Sequence, residues 1–316
     1  MRWALWLVFL LPAHGAAEAL PIIDAHSQFD QDVPIERVVE SAARAGIAQV
    51  VLSARGGTTS AEVLALAAKY PGCILPAVRT KGSAYKDNDP RYPAFLDEQL
   101  NAPAFKAMSE IIVAHARKGR HAPEVNLTLD APQAALAIQG GMARGWPVVL
   151  HYELRWFTRS FGRPARESRL AELRALLRGH PEHPFALIHM AQLDATDAAE
   201  MLAAHPNLHF LTSHANPITA TASRQPWTDL FMEGELAPEW RSLVLRHPDR
   251  FVLAFDNVWT GDWTDKYARQ AALWRGALGK LPAGVAHAVA HGNAQRLWKL
   301  APVQAGQGCA AIRSQA

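Results

Sequence analysis

Cysteine is almost missing from this chain: Cys73 and Cys309 are the only two among 316 residues. Two make no disulfide framework and neither stands in a nucleophile motif, which sets aside both a cysteine-stapled small domain and a thiol enzyme. Whether the pair bridges, or Cys73 is buried and Cys309 is a loose thiol in a tail, the sequence leaves open. An excess of one charge is also lacking. The chain has 32 Lys+Arg against 29 Asp+Glu, a net charge of +3, and no basic run forms a stripe. A nucleic-acid partner is therefore not indicated. Beyond the N-terminus no stretch is long and apolar enough to cross a membrane. No internal repeat or low-complexity segment stands out. No glycine-rich phosphate loop follows the first apolar run, where Asp24-Ala25-His26-Ser27-Gln28-Phe29 stands instead. This argues against a doubly wound nucleotide-binding sheet.

What is present is a globular composition, 49% hydrophobic and 19% charged, able to bury a sizeable core. Fourteen histidines is a high count and directs attention to metal or acid–base chemistry. Residues 1–19 read as a secretory signal: Arg2 gives a minimal basic start, residues 3–12 a short apolar stretch, and Ala17-Glu18-Ala19 a small-x-small cleavage site. Ala13-His14-Gly15 is a competing site, and an uncleaved anchor is the alternative. No cysteine follows, so lipid attachment is not expected. The expectation is an exported protein, periplasmic or secreted, with residues 20–300 as one domain and 301–316 as a flexible tail.

From Leu20 onward short β-rich runs alternate with helical patterns. Strands are expected over 21–26, 49–54, 74–78, 105–111, 148–151, 185–189, 208–212 and 251–255. Helices are expected over 34–45, 61–70, 94–100, 131–143, 166–178, 195–204, 239–246 and 265–278, with an extra C-terminal helix over 285–300. Eight strands each followed by a helix predict an α/β fold of the (β/α)8, or TIM, barrel type in a single domain.

Five of these runs stop on, or run into, a histidine or an acid: His26, Glu110, His151, His189 and Asp256. Singly, each has an ordinary explanation: a hydrogen-bonded structural histidine, a salt-bridge partner for Lys106, a cap for the next loop. In a (β/α)8 barrel, however, the C-terminal strand ends share one mouth, so the five are expected together. Imidazole nitrogens and carboxylate oxygens suit Zn²⁺ or a similar divalent ion. Such an ion lowers the pKa of bound water to about 7, and Asp256 beside it could take the proton.

These pieces resemble the amidohydrolase superfamily, in particular its amidohydrolase-related branch of metal-dependent hydrolases and decarboxylases. The likeness is carried by IIDAH (22–26), VVLH (148–151), FALIH (185–189), FDN (255–257) and HGNAQRL (291–297). The resemblance implies His26, His151 and His189 as ligands, His189 also as a substrate-polarising catalytic residue, and Asp256 as ligand and general base. Ser109-Glu110-Ile111 is similar to a G-E-I segment of a related branch, which implies Glu110 as a further ligand. The departure is Gln28, where the family's strand-one pattern His-x-His has its second histidine. A glutamine is a poorer zinc ligand than imidazole, so one ion is favoured over two.

Around this centre Gln28, Arg55, Arg79 and Trp259 are the substrate-binding candidates, the arginines for a carboxylate and the tryptophan for a ring. Tyr152, Glu153, Arg155 and Trp156 could form a wall, and Trp227 and Trp263 lie on long loops. His115, His121, His214 and Asn216 read as solvated. The expected activity is hydrolysis of an amide, lactone or other ester of a small molecule. A non-hydrolytic decarboxylase and a noncatalytic, metal-poor binding protein on the same barrel are the alternatives. Oligomeric state stays open, a homo-oligomer included.

Overall fold

The computed structural model describes residues 20–119 and 122–312. The signal expected over 1–19, His121 and the end of the tail (313–316) lie outside the described residues. In chain order the strands are β1 (Ile22–Phe29), β2 (Ile47–Ala54), β3 (Ile74–Val78), β4 (Ala107–Met108), β5 (Ile111–His115), β6 (Val125–Asn126), β7 (Val148–Tyr152), β8 (Phe185–Leu187), β9 (Leu208–Leu211), β10 (Phe231–Met232), β11 (Glu235–Leu236) and β12 (Phe251–Val252).

Parallel pairing runs β1-β2-β3-β4 in one stretch of sheet and β12-β9-β8-β7-β5 in another, with β6 antiparallel on the outer edge of β5. The two stretches are joined at one end because β4 and β5 are halves of a single barrel strand, interrupted at Ser109-Glu110. They are joined at the other end by backbone bonds from Ala25 N–H to Leu253 O (3.0 Å), Asp256 N–H to His26 O (2.8 Å) and Gln28 N–H to Asn257 O (2.8 Å). The sheet therefore curls into the α/β (β/α)8 barrel that the alternation of runs predicts. Its crossover helices include Ile35–Arg44, Ser60–Lys69, Pro132–Ala143 and Asp265–Leu278. Local chemistry sets their starts: Thr59 and Glu62 form a reciprocal capping box, and Asp194 accepts from the Asp197 N–H to open Ala195–Ala204.

Strand alternation divides the core. Ile23, Val51, Ala77, Val149, Ala186 and Val252 pack together inside the barrel. Their neighbours Ile22, Val50, Val78, Val148, Phe185 and Phe251 face the helices. A period of two thus sends His151, two residues beyond Val149, inward.

The segment after residue 300, read as a loose tail, is held as far as it is described. Cys73 and Cys309 form a disulfide across a sequence separation of 236, and Cys309–Ile312 is a short helix packed on Ile35–Arg44 and β2. Gly308 (φ +61°) approaches β2 so closely that a Cβ would lie 1.8 Å from Ala48 O. The bridge staples the tail to the start of β3, restricting the unfolded chain over a very long loop. Cys309→Ser is expected to lower unfolding stability by about 2–4 kcal/mol. Urea unfolding of the variant should match that of the reduced wild type.

Candidate metal centre

The site is assembled at the C-terminal rim by local departures from regular strand. In β1 the register with β2 slips between Asp24 and Ser27. Ala25 packs in the barrel interior, yet His26 and Gln28 also point to its mouth, which a regular alternation would forbid. Asp24 faces the other way. Its Oδ1 accepts from the Phe255 N–H (3.0 Å), and its Oδ2 accepts from the Ser27 (2.6 Å) and Tyr267 (2.7 Å) hydroxyls. Burial raises its pKa to about 6, against the pull of those donors.

The strand expected over 185–189 ends at Leu187, and His189 lies in a left-handed turn (φ +53°) with Met190, Ala191 and Gln192. Ala186 and Ile188 both face the barrel interior. His189 would face the helices if the strand continued, and the turn swings it inward instead. Asp256 (φ +52°) and His214 (φ +59°) also occupy the left-handed region, which costs non-glycine residues energy and concentrates at functional sites. Glu110 sits in the break between β4 and β5 rather than at a strand end.

All five predicted ligands are buried and come together. Asp256 Oδ1 lies 3.4 Å from His26 Nε2, and Asp256 Oδ2 lies 3.4 Å from His189 Nε2. Glu110 Oε2 is 3.9 Å from His26 Nε2 and 2.6 Å from His151 Nδ1. Among the described residues, His26–Glu110–Asp256, His189–His214–Asp256 and Glu110–His151–His189 each bring three donor atoms within 4.8 Å of one another, close enough to hold a metal ion. A fourth such group is His115–His151–Glu153.

The tautomers sharpen this. His189 Nδ1 faces the Ser213 carbonyl at 3.2 Å, so the ring proton belongs there and Nε2 carries a lone pair. That lone pair confronts the Asp256 carboxylate, two acceptors that need a cation between them. Burial, then the neighbouring rings of His214 and His151, hold the His189 pKa well below the ordinary value and keep it a neutral donor. Burial also opposes ionisation of Asp256, but the His26 contact keeps its carboxyl well below the usual range. The donor set fits a divalent ion.

His151 is differently placed. Its Nδ1 is bonded to Glu110 and its Nε2 to Glu153 Oε1 (2.8 Å). Burial resists the charge, yet the two carboxylates hold its pKa above the ordinary value. It offers a metal a lone pair only by giving up one of those bonds; as placed, it braces Glu110.

Gln28 donates its amide N–H groups to Asp256 Oδ1 (2.9 Å) and Glu110 Oε1 (3.1 Å). Its Oε1 is buried with no partner among the described residues. Turned over, the same amide would present a neutral oxygen between the carboxylates.

Other expectations fare unevenly. Trp259 stands half-exposed at the rim with the Arg55 guanidinium 4.2 Å over its ring, and Arg55 pairs with Asp30. Arg79 lines the cavity, but its guanidinium donates to the carbonyls of Lys81 (2.9 Å), Thr58 (2.8 Å) and Gly56 (2.9 Å). It ties two rim loops together. Trp263 is in the core, away from the mouth, whereas Trp227 lies against His189 and His214. His115 is buried with Nδ1 3.0 Å from Pro123 O, not solvated, and His214 stacks on His189 at 4.5 Å. Asn216 caps the helix Pro217–Ala222.

Two charged groups, Lys81 and Lys118, escaped the sequence reading, and Glu153, expected only as part of a wall, is bonded into the centre. Lys81, in the loop after β3, pairs with Glu110; Glu153 bonds His151 and the Ala116 N–H (2.7 Å); Lys118 pairs with Glu153. The only signal was their position just past strand ends. The cavity that Lys81 and Lys118 border has a volume of about 430 Å³.

This fold and this centre define a barrel with a polar, metal-capable mouth. A family model described as amidohydrolase matches residues 6–300, and the chain belongs to the amidohydrolase family. Comparison with curated proteins gives no match. Among solved structures, an uncharacterised TIM-barrel protein from Bordetella bronchiseptica is 15% identical, covering 89% of this chain and 99% of that one with a TM-score of 0.54. An amidohydrolase from Burkholderia multivorans with bound zinc is also 15% identical, covering 89% and 99% with a TM-score of 0.52. A dihydroorotase from Campylobacter jejuni is 8% identical, covering 91% and 86% with a TM-score of 0.57. At such identities these structures bear on the fold alone.

The position of Arg79 yields a test. Arg79→Ala is expected to lower stability by about 2–4 kcal/mol in urea unfolding, since three charge-assisted bonds to backbone are lost. Arg79→Lys should recover little, because an ammonium cannot reproduce the fork. An unchanged midpoint with a raised KM would assign Arg79 to substrate instead.

Proposed function

We propose that the chain is a metal-dependent hydrolase of the amidohydrolase type, acting on an amide, lactone or other ester of a small molecule. The observation that carries this reading is the meeting of the His189 Nε2 lone pair and the Asp256 carboxylate, with His26 and Glu110 alongside. His26, His189, Asp256 and Glu110 would hold the ion, His151 joining them if it gives up a carboxylate. Their nitrogen and oxygen donors suit zinc, and Gln28 in place of a histidine favours one ion over two. When bound, a divalent ion polarises a carbonyl and lets water ionise near neutral pH.

The chain's own groups supply the rest. Asp256, held ionised, accepts a proton from the attacking water and passes it to the leaving group. His189, neutral and fixed by Ser213, stays oriented toward that carboxylate. Trp227 and Trp259 border the cavity with apolar faces, and Arg55 and Lys118 border it with positive charge. Its volume suits a small molecule. Export through residues 1–19 belongs to the same proposal, and the Cys73–Cys309 bridge accords with an oxidising compartment.

Elemental analysis of chelator-free protein should find about one divalent ion per chain, lost in His189→Ala. Asp256→Asn is expected to lower kcat about 10²–10⁴-fold with an unchanged circular dichroism spectrum. Protein that stays metal-free after incubation with Zn²⁺ or Mn²⁺ would sink the reading.

A further inference from the structure

Glu110 belongs to two of the donor groups at the centre, and its oxygens are already engaged. Oε2 is bonded to His151 Nδ1 at 2.6 Å. Oε1 takes the Lys81 ammonium and the Gln28 amide N–H (3.1 Å). Lys81 is not a wandering surface lysine: its side chain is only 11% exposed. The backbone that carries it is pinned at Thr80 and at Lys81 itself. Lys81 O accepts from Arg79 Nε (2.9 Å), Thr80 O accepts from the Tyr92 hydroxyl (2.9 Å), and the Thr80 hydroxyl donates to Glu110 O. The ammonium is therefore held against Glu110 by the backbone of its own loop.

A pair of divalent ions sits about 3.5–4 Å apart and relies on shared oxygens. A second ion on Glu110 Oε1 would have to share that oxygen with a fixed positive charge in a buried, weakly screened site, where like charges repel strongly. The Nε2 atoms of His26 and His189 lie instead 3.4 Å from the Asp256 carboxylate, on the other side of the centre. Resting on the metal reading above, we propose that Lys81 is the centre's resident cation. Its ammonium, with the Gln28 amide, fills the place on Glu110 that a second divalent ion would take, so the chain holds a single ion. Lys81 is thus a positioning residue that sets metal stoichiometry.

The test counts ions. Full-length wild type, Gln28→His, Gln28→His/Lys81→Arg and Gln28→His/Lys81→Met are dialysed against excess Zn²⁺, freed of unbound metal by gel filtration and analysed for zinc per chain. Co²⁺ titration followed by visible absorbance gives an independent count. One ion is expected in the first three and two in Gln28→His/Lys81→Met. Should that variant fail to fold, Gln28→His/Lys81→Gln carries the same arm. Two ions in Gln28→His with Lys81 intact would overturn the proposal. So would a single ion in the folded, lysine-free double variant. No ion in the wild type would remove the metal reading itself, and the proposal with it.

Discussion

Everything at the mouth depends on the buried carboxylate of Asp24. A barrel closes only if its first and last strands meet in register, and here regular ladder is scarce at that seam. β12 pairs with β9 at Phe251 and Val252 alone, and residues 253–257 reach β1 through isolated backbone bonds. Asp24 supplies what the ladder does not. It accepts from the Phe255 N–H, from Tyr267 on the last crossover helix and from Ser27, whose hydroxyl oxygen in turn accepts from the Asn257 N–H at 3.0 Å. A carboxylate placed in the core is tolerable only when its lone pairs are used, and here they are. This seam fixes His26 and Gln28 opposite Asp256, so the bond network that closes the fold also sets the geometry of the site.

The mouth itself is built by two different devices on its two sides. On the side of β1 to β5, a bulge and a strand break re-aim the side chains: the register slip turns His26 and Gln28 inward although Ala25 also faces inward, and the gap between β4 and β5 frees Glu110. On the side of β8 to β12 the backbone is left-handed at His189, His214 and Asp256. Such conformations persist where surrounding bonds over-determine them. The His189 N–H donates to Ser213 Oγ (3.1 Å), the Gln192 side chain accepts from the Trp156 N–H (2.8 Å), and the Asp256 N–H donates to His26 O (2.8 Å).

The periodicity of the chain made much of this legible. Apolar runs of strand length that end abruptly on His26, His151, His189 and Asp256 are visible in one dimension, and the barrel brings such ends together. What could not be read was direction within the irregular segments. The alternation that correctly sends His151 inward would send His189 outward, and only the left-handed turn reverses it. Arg79 and His115 show the same limit: both follow strands, but one clamps loop carbonyls at the cavity rim and the other is buried beside His151 rather than solvated. Lys81, Lys118 and Glu153 reach the centre from loops, where no period constrains them. The tail was misjudged because a disulfide partner far away in sequence leaves no local signal.

Lys81, Glu153 and Lys118 complete the electrostatics. Glu110 and Glu153 are both buried, and an isolated buried carboxylate would protonate rather than stay charged. Burial pushes both pKa values upward, but the cations around them prevail: Lys81 and His151 for Glu110, Lys118 and His151 for Glu153. The result is an alternating series, Lys81–Glu110–His151–Glu153–Lys118, all of which but the fully buried Glu153 line the cavity. Because each member is the counter-charge of the next, no single group can leave without exposing its neighbour to an unpaired buried charge. That coupling keeps Glu110 ionised and fixed in place. The other carboxylate of the centre, Asp256, meets the lone pair of the neutral His189 ring instead, and there the demand for a cation is left for a ligand to satisfy.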